Sequence, residues 1–215
     1  DGAANYEVQI TIDDELVGGY YSVDNKELYG YTIGETNPTT HEHAQFTLTP
    51  LIDKLNGNKL LGFIYESKNY KNTTKLREAM QLNASTNLLQ VSKVYADLAT
   101  QFRAQHGKAA LVAHDVLTQA AKNHSTDMAK NNYFAHKSLT GTQAWDRIDA
   151  IKLLGWRKVG ENIASGRSSI FETHVGWINS KGHRNNLLDG EFTHIGYGAH
   201  YNKESDYQLY YTTVF

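Results

Sequence analysis

The sequence predicts an α+β protein: a small β-rich N-terminal domain over residues 1–84, then a larger domain over 85–215 in which helices pack on a sheet. Three observations predict it. Period-two alternation dominates the first part of the chain, 3/4-spaced apolar residues dominate from about Asn87, and a hairpin pattern returns at the end. The charge changes at the same place. Residues 1–86 hold 7 Lys/Arg and 12 Asp/Glu, a balance of −5, whereas residues 87–215 hold 14 and 11, a balance of +3.

Taken in order, Tyr6-Glu7-Val8-Gln9-Ile10-Thr11-Ile12 alternates as a half-buried strand does, and Asp13-Asp14-Glu15 supplies a polar turn. Leu48 to Leu55 reads as a short helix stopped by Asn56-Gly57-Asn58, and Leu60-Leu61-Gly62-Phe63-Ile64-Tyr65 as a second strand. Leu88, Val91, Tyr95, Leu98 and Phe102 line one helix face, with Gly107 placed to cap the C-terminus in a left-handed conformation. Leu117, Ala120, Ala121, His124 and Met128 form the apolar face of a second helix that ends near Asn131-Asn132. Phe171, Val175 and Ile178 mark a shorter helix, which Gly182 is expected to break. The hairpin runs from His194–Tyr201 through a polar turn into Tyr207–Phe215, where Tyr207, Leu209, Tyr211, Thr213 and Phe215 share a face.

Composition excludes several functions. The 215 residues are 40% hydrophobic and 20% charged, enough for a proper core. No apolar run approaches the ~18 residues of a membrane helix, and the start of the chain lacks the pattern of a signal peptide or anchor. Without cysteine there is neither a thiolate zinc site nor a thiol nucleophile. No basic stripe of a nucleic-acid binder is present, nor a G-x-S-x-G elbow, an H-E-x-x-H helix or a phosphate-binding glycine loop.

The residues suited to chemistry are His136, Glu161 and His183, which lie on separate segments. Two imidazoles and a carboxylate form a known ligand set for a divalent transition metal such as zinc. The same trio suits proton transfer, since histidine titrates near neutrality beside a tuning carboxylate. Hydrogen-bonded packing roles remain open for all three. Glu172 is either a fourth cleft member or an acidic residue favoured in a first helical turn. His174 and Arg184 read as surface or structural residues, His124 as a core histidine, and His194 and His200 as sheet residues. His41-Glu42-His43 carries an i, i+2 histidine pair but sits in a polar, Thr-rich segment that reads as an exposed loop.

Ordered fragments add a resemblance. They are Ala120 through Met128, Tyr133-Phe134-Ala135-His136, Arg147, Gly160-Glu161-Asn162-Ile163-Ala164, Trp177, Ser180-Lys181-Gly182-His183-Arg184-Asn185-Asn186-Leu187-Leu188 and Phe192-Thr193-His194-Ile195-Gly196-Tyr197-Gly198. In order and spacing they resemble the CAP superfamily (cysteine-rich secretory protein, antigen 5, pathogenesis-related), in its bacterial branch, over a little more than half of the chain. The resemblance implies an α-β-α sandwich with a wide cleft, in which His136, Glu161 and His183 correspond to the family's cleft histidines and glutamate. Many members carry a second cleft glutamate just past the Trp. Asn179 and Ser180 stand there in this sequence, so Glu172 is available only as a shifted substitute. The absence of cysteine suits exported proteins of Gram-positive bacteria, and the N-terminal part resembles a small domain that precedes CAP domains in such organisms.

Members of the family have been linked to lipid or sterol binding, protein interaction and, in a few cases, hydrolysis, so the resemblance implies no single reaction. The expected function is that of an exported, extracellular or envelope-associated binding module. Its cleft would recognise an envelope or host protein, a lipid or a glycan, with no nucleic acid. The alternative is a zinc-assisted hydrolase acting through the His/Glu cleft. A purely structural role is the third.

Overall fold

The structure is a computed structural model that describes residues 5–12, 15–22, 27–32, 46–57, 59–67, 85–153, 155–167 and 170–215. It separates into two compact units, Asp1–Asn72 and Thr73–Phe215. The expected boundary at 84/85 falls beside residues 68–84, which lie outside the described residues, as does His41-Glu42-His43.

In the N-terminal unit, β1 (Asn5–Ile12), β2 (Glu15–Ser22) and β3 (Glu27–Thr32) form an antiparallel meander. A second antiparallel pair joins β4 (Phe46–Asp53) to β5 (Lys59–Ser67). The helix expected over Leu48–Leu55 is therefore a strand, with its turn at residues 54–57. Thr47, Thr49 and Ile52 favour extended backbone, and Pro50 is tolerated because β4 pairs on one side only. The register shift at Leu51/Ile52 broke the alternation that would have revealed the strand.

The C-terminal unit is a three-layer α-β-α sandwich. Its sheet has the order β6-β8-β9-β7, from β6 (Val112–Ala113), β7 (Glu161–Ser165), β8 (His194–Tyr201) and β9 (Leu209–Val214). The helices are α1 (Ser85–Ala104), α2 (Asp115–Lys130), α3 (Ala144–Ala150), α4 (Ile170–Ile178) and α5 (Lys181–Leu188). β9 is buried along its whole length because it lies between β8 and β7 with helices on both faces. Tyr207, expected on that strand, is instead exposed in the preceding turn.

The two sheet faces are packed differently. On one, α2 lies so close that a Cβ on Gly198 would come within 2.2 Å of the Lys122 backbone nitrogen, and one on Gly196 within 2.1 Å of the Leu117 carbonyl carbon. Ala120, Ala121 and Ser125 keep the facing helix surface small, and Ser125 Oγ donates to the Gly198 carbonyl at 3.0 Å. On the other face Tyr197 stacks on Tyr95 of α1 at 4.6 Å, and Trp177 of α4 meets Tyr95 edge-on at 5.6 Å. Such ring pairs contribute about 0.5–1.5 kcal/mol each beyond the area they bury.

α4 buries Thr173, His174, Trp177 and Ile178, so Phe171 points outward and is exposed. Gly182 does not break a helix but sits inside α5; the break falls at Asn179–Ser180, and Ser180 occupies the N-cap position. Gly107 takes the expected left-handed conformation, with φ 65°, beyond the end of α1. Arg103, fully buried near that end, donates to the carbonyls of Ala109, Leu187, Asp189 and Phe192 at 2.6–3.3 Å. It thereby fastens α5, and the histidine it carries, to α1.

Candidate functional site

The loop after α2 carries the first histidine. Asn132, with φ 51°, turns the chain out of the helix, and the Tyr133 hydroxyl donates to the Asp127 carboxylate. His124, buried on α2, donates from Nε2 to the Ala135 carbonyl at 3.0 Å, so this core histidine positions its cleft neighbour. From α3, Arg147 donates to the carbonyls of His136 and Thr142, each at 3.2 Å, and pairs with the Glu161 carboxylate.

Glu161 opens β7 with its side chain only 4% exposed. One oxygen faces Arg147; the other accepts a 2.8 Å hydrogen bond from His136 Nδ1, with His124 Nε2 at 3.8 Å. Burial pushes the Glu161 carboxyl up, but the His136 bond, the Arg147 guanidinium and the nearby His124 together hold it below its ordinary range. Glu161 is thus an ionised acceptor that fixes His136 with its proton on Nδ1. The half-exposed ring is left with Nε2 for the cleft.

His183 arrives on α5, which is laced to β7 by asparagines. Asn162 donates to the His183 carbonyl at 3.1 Å, while Asn186 donates to the Glu161 carbonyl at 3.2 Å and to Asn162 Oδ1 at 2.9 Å. The His183 ring lies 6.4 Å from that of Trp177, and its Nδ1 is buried with no hydrogen-bond partner among the described residues. Burial lowers its pKa, and His136 is close enough to lower it further.

His136 and His183 both line a cleft of about 460 Å³, with Trp177, Thr173, Ser180 and Arg167. Glu161 stands behind His136 rather than in the wall. Glu172 is in the first turn of α4 but does not line the cleft. His174 is a buried packing residue against Tyr95, with its pKa lowered by burial to about 4. Arg184 lies over the Phe102 ring and donates to the Ile178 carbonyl, which makes it structural. His200 stands in β8 near Lys122, whereas His194 opens that strand exposed.

For a metal, the cleft offers two imidazoles. Both Glu161 oxygens are already engaged, so this carboxylate orients a histidine from behind. Among the described residues no group of three or more His, Cys, Asp or Glu is arranged to hold a metal ion. Three protein ligands are usual at a catalytic zinc.

The roles of Arg167, Asn162 and Asn186 were not foreseen. The asparagines lie inside the quoted fragments, but their hydrogen bonds join segments 24 residues apart. Arg167 follows β7 with no motif around it.

A family model described as the cysteine-rich secretory protein family (CAP) matches residues 96–215, more than half of the chain. The chain belongs to the CAP family. It is 34% identical over 116 residues to the Bacillus subtilis (strain 168) protein YkwD, covering 54% of this chain and 45% of that protein. It is 36% identical over 107 residues to the membrane protein YlbC of the same organism, covering 50% and 31%. The chain therefore spans less than half the length of these curated relatives. An extracellular SCP-domain protein of Bacillus anthracis str. Ames superposes with a TM-score of 0.63 at 23% identity, over 99% of this chain and 67% of that one. An outer surface protein of Borrelia burgdorferi gives 0.50 at 23% identity, over 57% and 89%. At these identities the structural likenesses show the shared CAP fold. Among the described residues no helix is long and apolar enough to cross a membrane.

Proposed function

We propose that this CAP protein is an exported bacterial binding module whose cleft recognises an envelope or host component. One observation carries the proposal: the polar groups of the cleft are arranged for holding rather than for reacting. Glu161 and His136 form an oriented pair like the base half of a hydrolytic triad. Yet among the described residues no hydroxyl is hydrogen-bonded to His136 or to His183, so neither ring has a nucleophile to activate. The extracellular and outer-surface descriptions of the structural neighbours support placement outside the cell or on its envelope.

The test is co-sedimentation of purified protein with isolated bacterial cell walls and, separately, with lipid vesicles. Wild type is compared with a His136→Ala/His183→Ala double variant. Retention of the wild type and its loss in the variant are expected. Retention unchanged in the variant would remove the cleft from the interaction.

The second reading, a zinc-assisted hydrolase, is favoured by His183 lining the same cleft as a histidine oriented by Glu161. When bound, zinc supplies Lewis acidity and an activated water. His136 and His183 would hold it, with Glu161 orienting His136. Calorimetric zinc titration at about pH 7.5 and about pH 5.5 tests this, since histidine must shed its proton to coordinate. Zinc-dependent heat absent from the double variant supports it; no heat from the wild type ends it.

A further inference from the structure

We propose that the cleft selects an oxyanion, a carboxylate or phosphate carried on an apolar body, and that Arg167 is the residue that selects it. The inference rests on the proposed role of the cleft in recognition and names the chemistry recognised there. No Asp or Glu stands among the described residues that line the cleft. The Glu161 carboxylate is buried behind His136 and neutralised by Arg147. Arg167, by contrast, is exposed, lines the same cleft and makes no ion pair among the described residues. Its main chain is held in place by the Tyr211 hydroxyl, which donates to the Arg167 carbonyl at 2.7 Å. Its guanidinium lies over Gly176, with Nε and Nη2 3.8 Å from where a Cβ would stand, so a missing side chain on α4 gives the fork its room.

The two imidazoles and the Ser180 side chain add hydrogen-bonding groups around that charge, and Phe134, Ala135 and Ile163 supply apolar wall. A planar guanidinium with polar neighbours matches the two oxygens of a carboxylate or phosphate, while the apolar wall suits the group attached to it. An extended peptide added to the sheet is disfavoured. The carbonyls of Glu161 and Ile163 on the edge strand β7 already accept from Asn186 and from Trp177 Nε1. The ligand is therefore gripped by side chains rather than by a strand ladder.

The test is nuclear magnetic resonance titration of the folded protein with four probes: phenylacetate, phenyl phosphate, phenylacetamide and benzylammonium. The acids should bind about tenfold or more tighter than the amide of matching shape, and the ammonium weakest, with shifts at the Arg167 Nε–H, the His183 ring and the Trp177 indole. The ranking of the two acids tells a carboxylate source from a phosphate source. Arg167→Gln should bring acid and amide to within about twofold of each other, while Arg167→Lys keeps part of the preference; the site of change is exposed, and unchanged spectra elsewhere report an intact fold. Equal binding of acid and amide to the wild type overturns the charge selection and leaves recognition by the cleft standing. No shift at any cleft resonance with any probe overturns both.

Discussion

The two sides of the cleft are built on opposite principles. On the His136 side the charged groups are spent on one another: Glu161 is shared by Arg147 and His136, Arg147 also holds two carbonyls, and His124 pins the loop through Nε2 while its buried Nδ1 has no partner among the described residues. On the α4–α5 side, His183 Nδ1 has no partner and the Arg167 guanidinium pairs with nothing among the described residues. The first side is a scaffold whose groups are spent on one another. The second keeps the Arg167 guanidinium exposed at the cleft. Each side buries one unpartnered imidazole nitrogen, so the contrast rests on the charges, which are paired around Glu161 and, among the described residues, unpaired at Arg167.

Mutation should expose the difference most strongly at Arg147. Arg147→Ala leaves the Glu161 charge buried beside histidines alone and should cost about 3–5 kcal/mol in denaturant unfolding. A loss under about 1 kcal/mol would mean that the scaffold side is no better satisfied than the other.

Acid should strike the buried histidines and the buried carboxylate in different ranges. His174, buried on the inner face of α4, titrates near 4 in the fold, against 6.5 for an ordinary histidine. The unfolded chain therefore binds this proton first. Stability should fall as pH drops from about 6.5 to about 4, by roughly 3 kcal/mol in all. Glu161 has its pKa depressed, so its contribution is present above the ordinary carboxylate range and is lost only as pH falls through and below that range. Urea midpoints across pH should show both phases. His174→Gln should shrink the upper one, which His124 and His200 share because burial lowers their pKa values too, and Glu161→Gln the lower. A single phase untouched by His174→Gln would contradict this division.

The smallest stability effects belong to the open side. His183→Ala should cost under about 1 kcal/mol, since its ring leaves no satisfied hydrogen bond behind, and the exposed Arg167→Gln within about 0.5 kcal/mol. Both should nevertheless weaken retention on cell walls. A His183→Ala loss above about 2 kcal/mol would show that its ring is structural packing.

Legibility in the sequence followed the same division. His136, Glu161 and His183 were readable because ordered fragments marked them, and the helices over Leu117–Met128 and Leu88–Phe102 because their apolar spacing is local. Glycines 196 and 198 were part of a quoted fragment, but that a helix backbone lies on them is visible only once α2 is docked. The strand β4 was missed because a bulge and a proline hid its alternation. Phe171 was placed on the wrong side of its helix because three apolar residues at 3/4 spacing outweighed Thr173 and His174, which are buried through partners elsewhere in the chain.

What the sequence by itself determined is the family, the layered fold class and the identity of the three residues that meet near the cleft. Local periodicity and motif order survive without knowledge of contacts, and they were sufficient for that. The tertiary structure alone decided which of the three line the cleft. Whether a carboxylate is a ligand or a brace depends on what lies within 3 Å of its oxygens, and Arg147 reaches Glu161 from 14 residues away while His136 reaches it from 25. The same holds for Arg167, whose charge is ordinary in the sequence and which only the fold brings, without an ion pair among the described residues, to the cleft that His136 and His183 line.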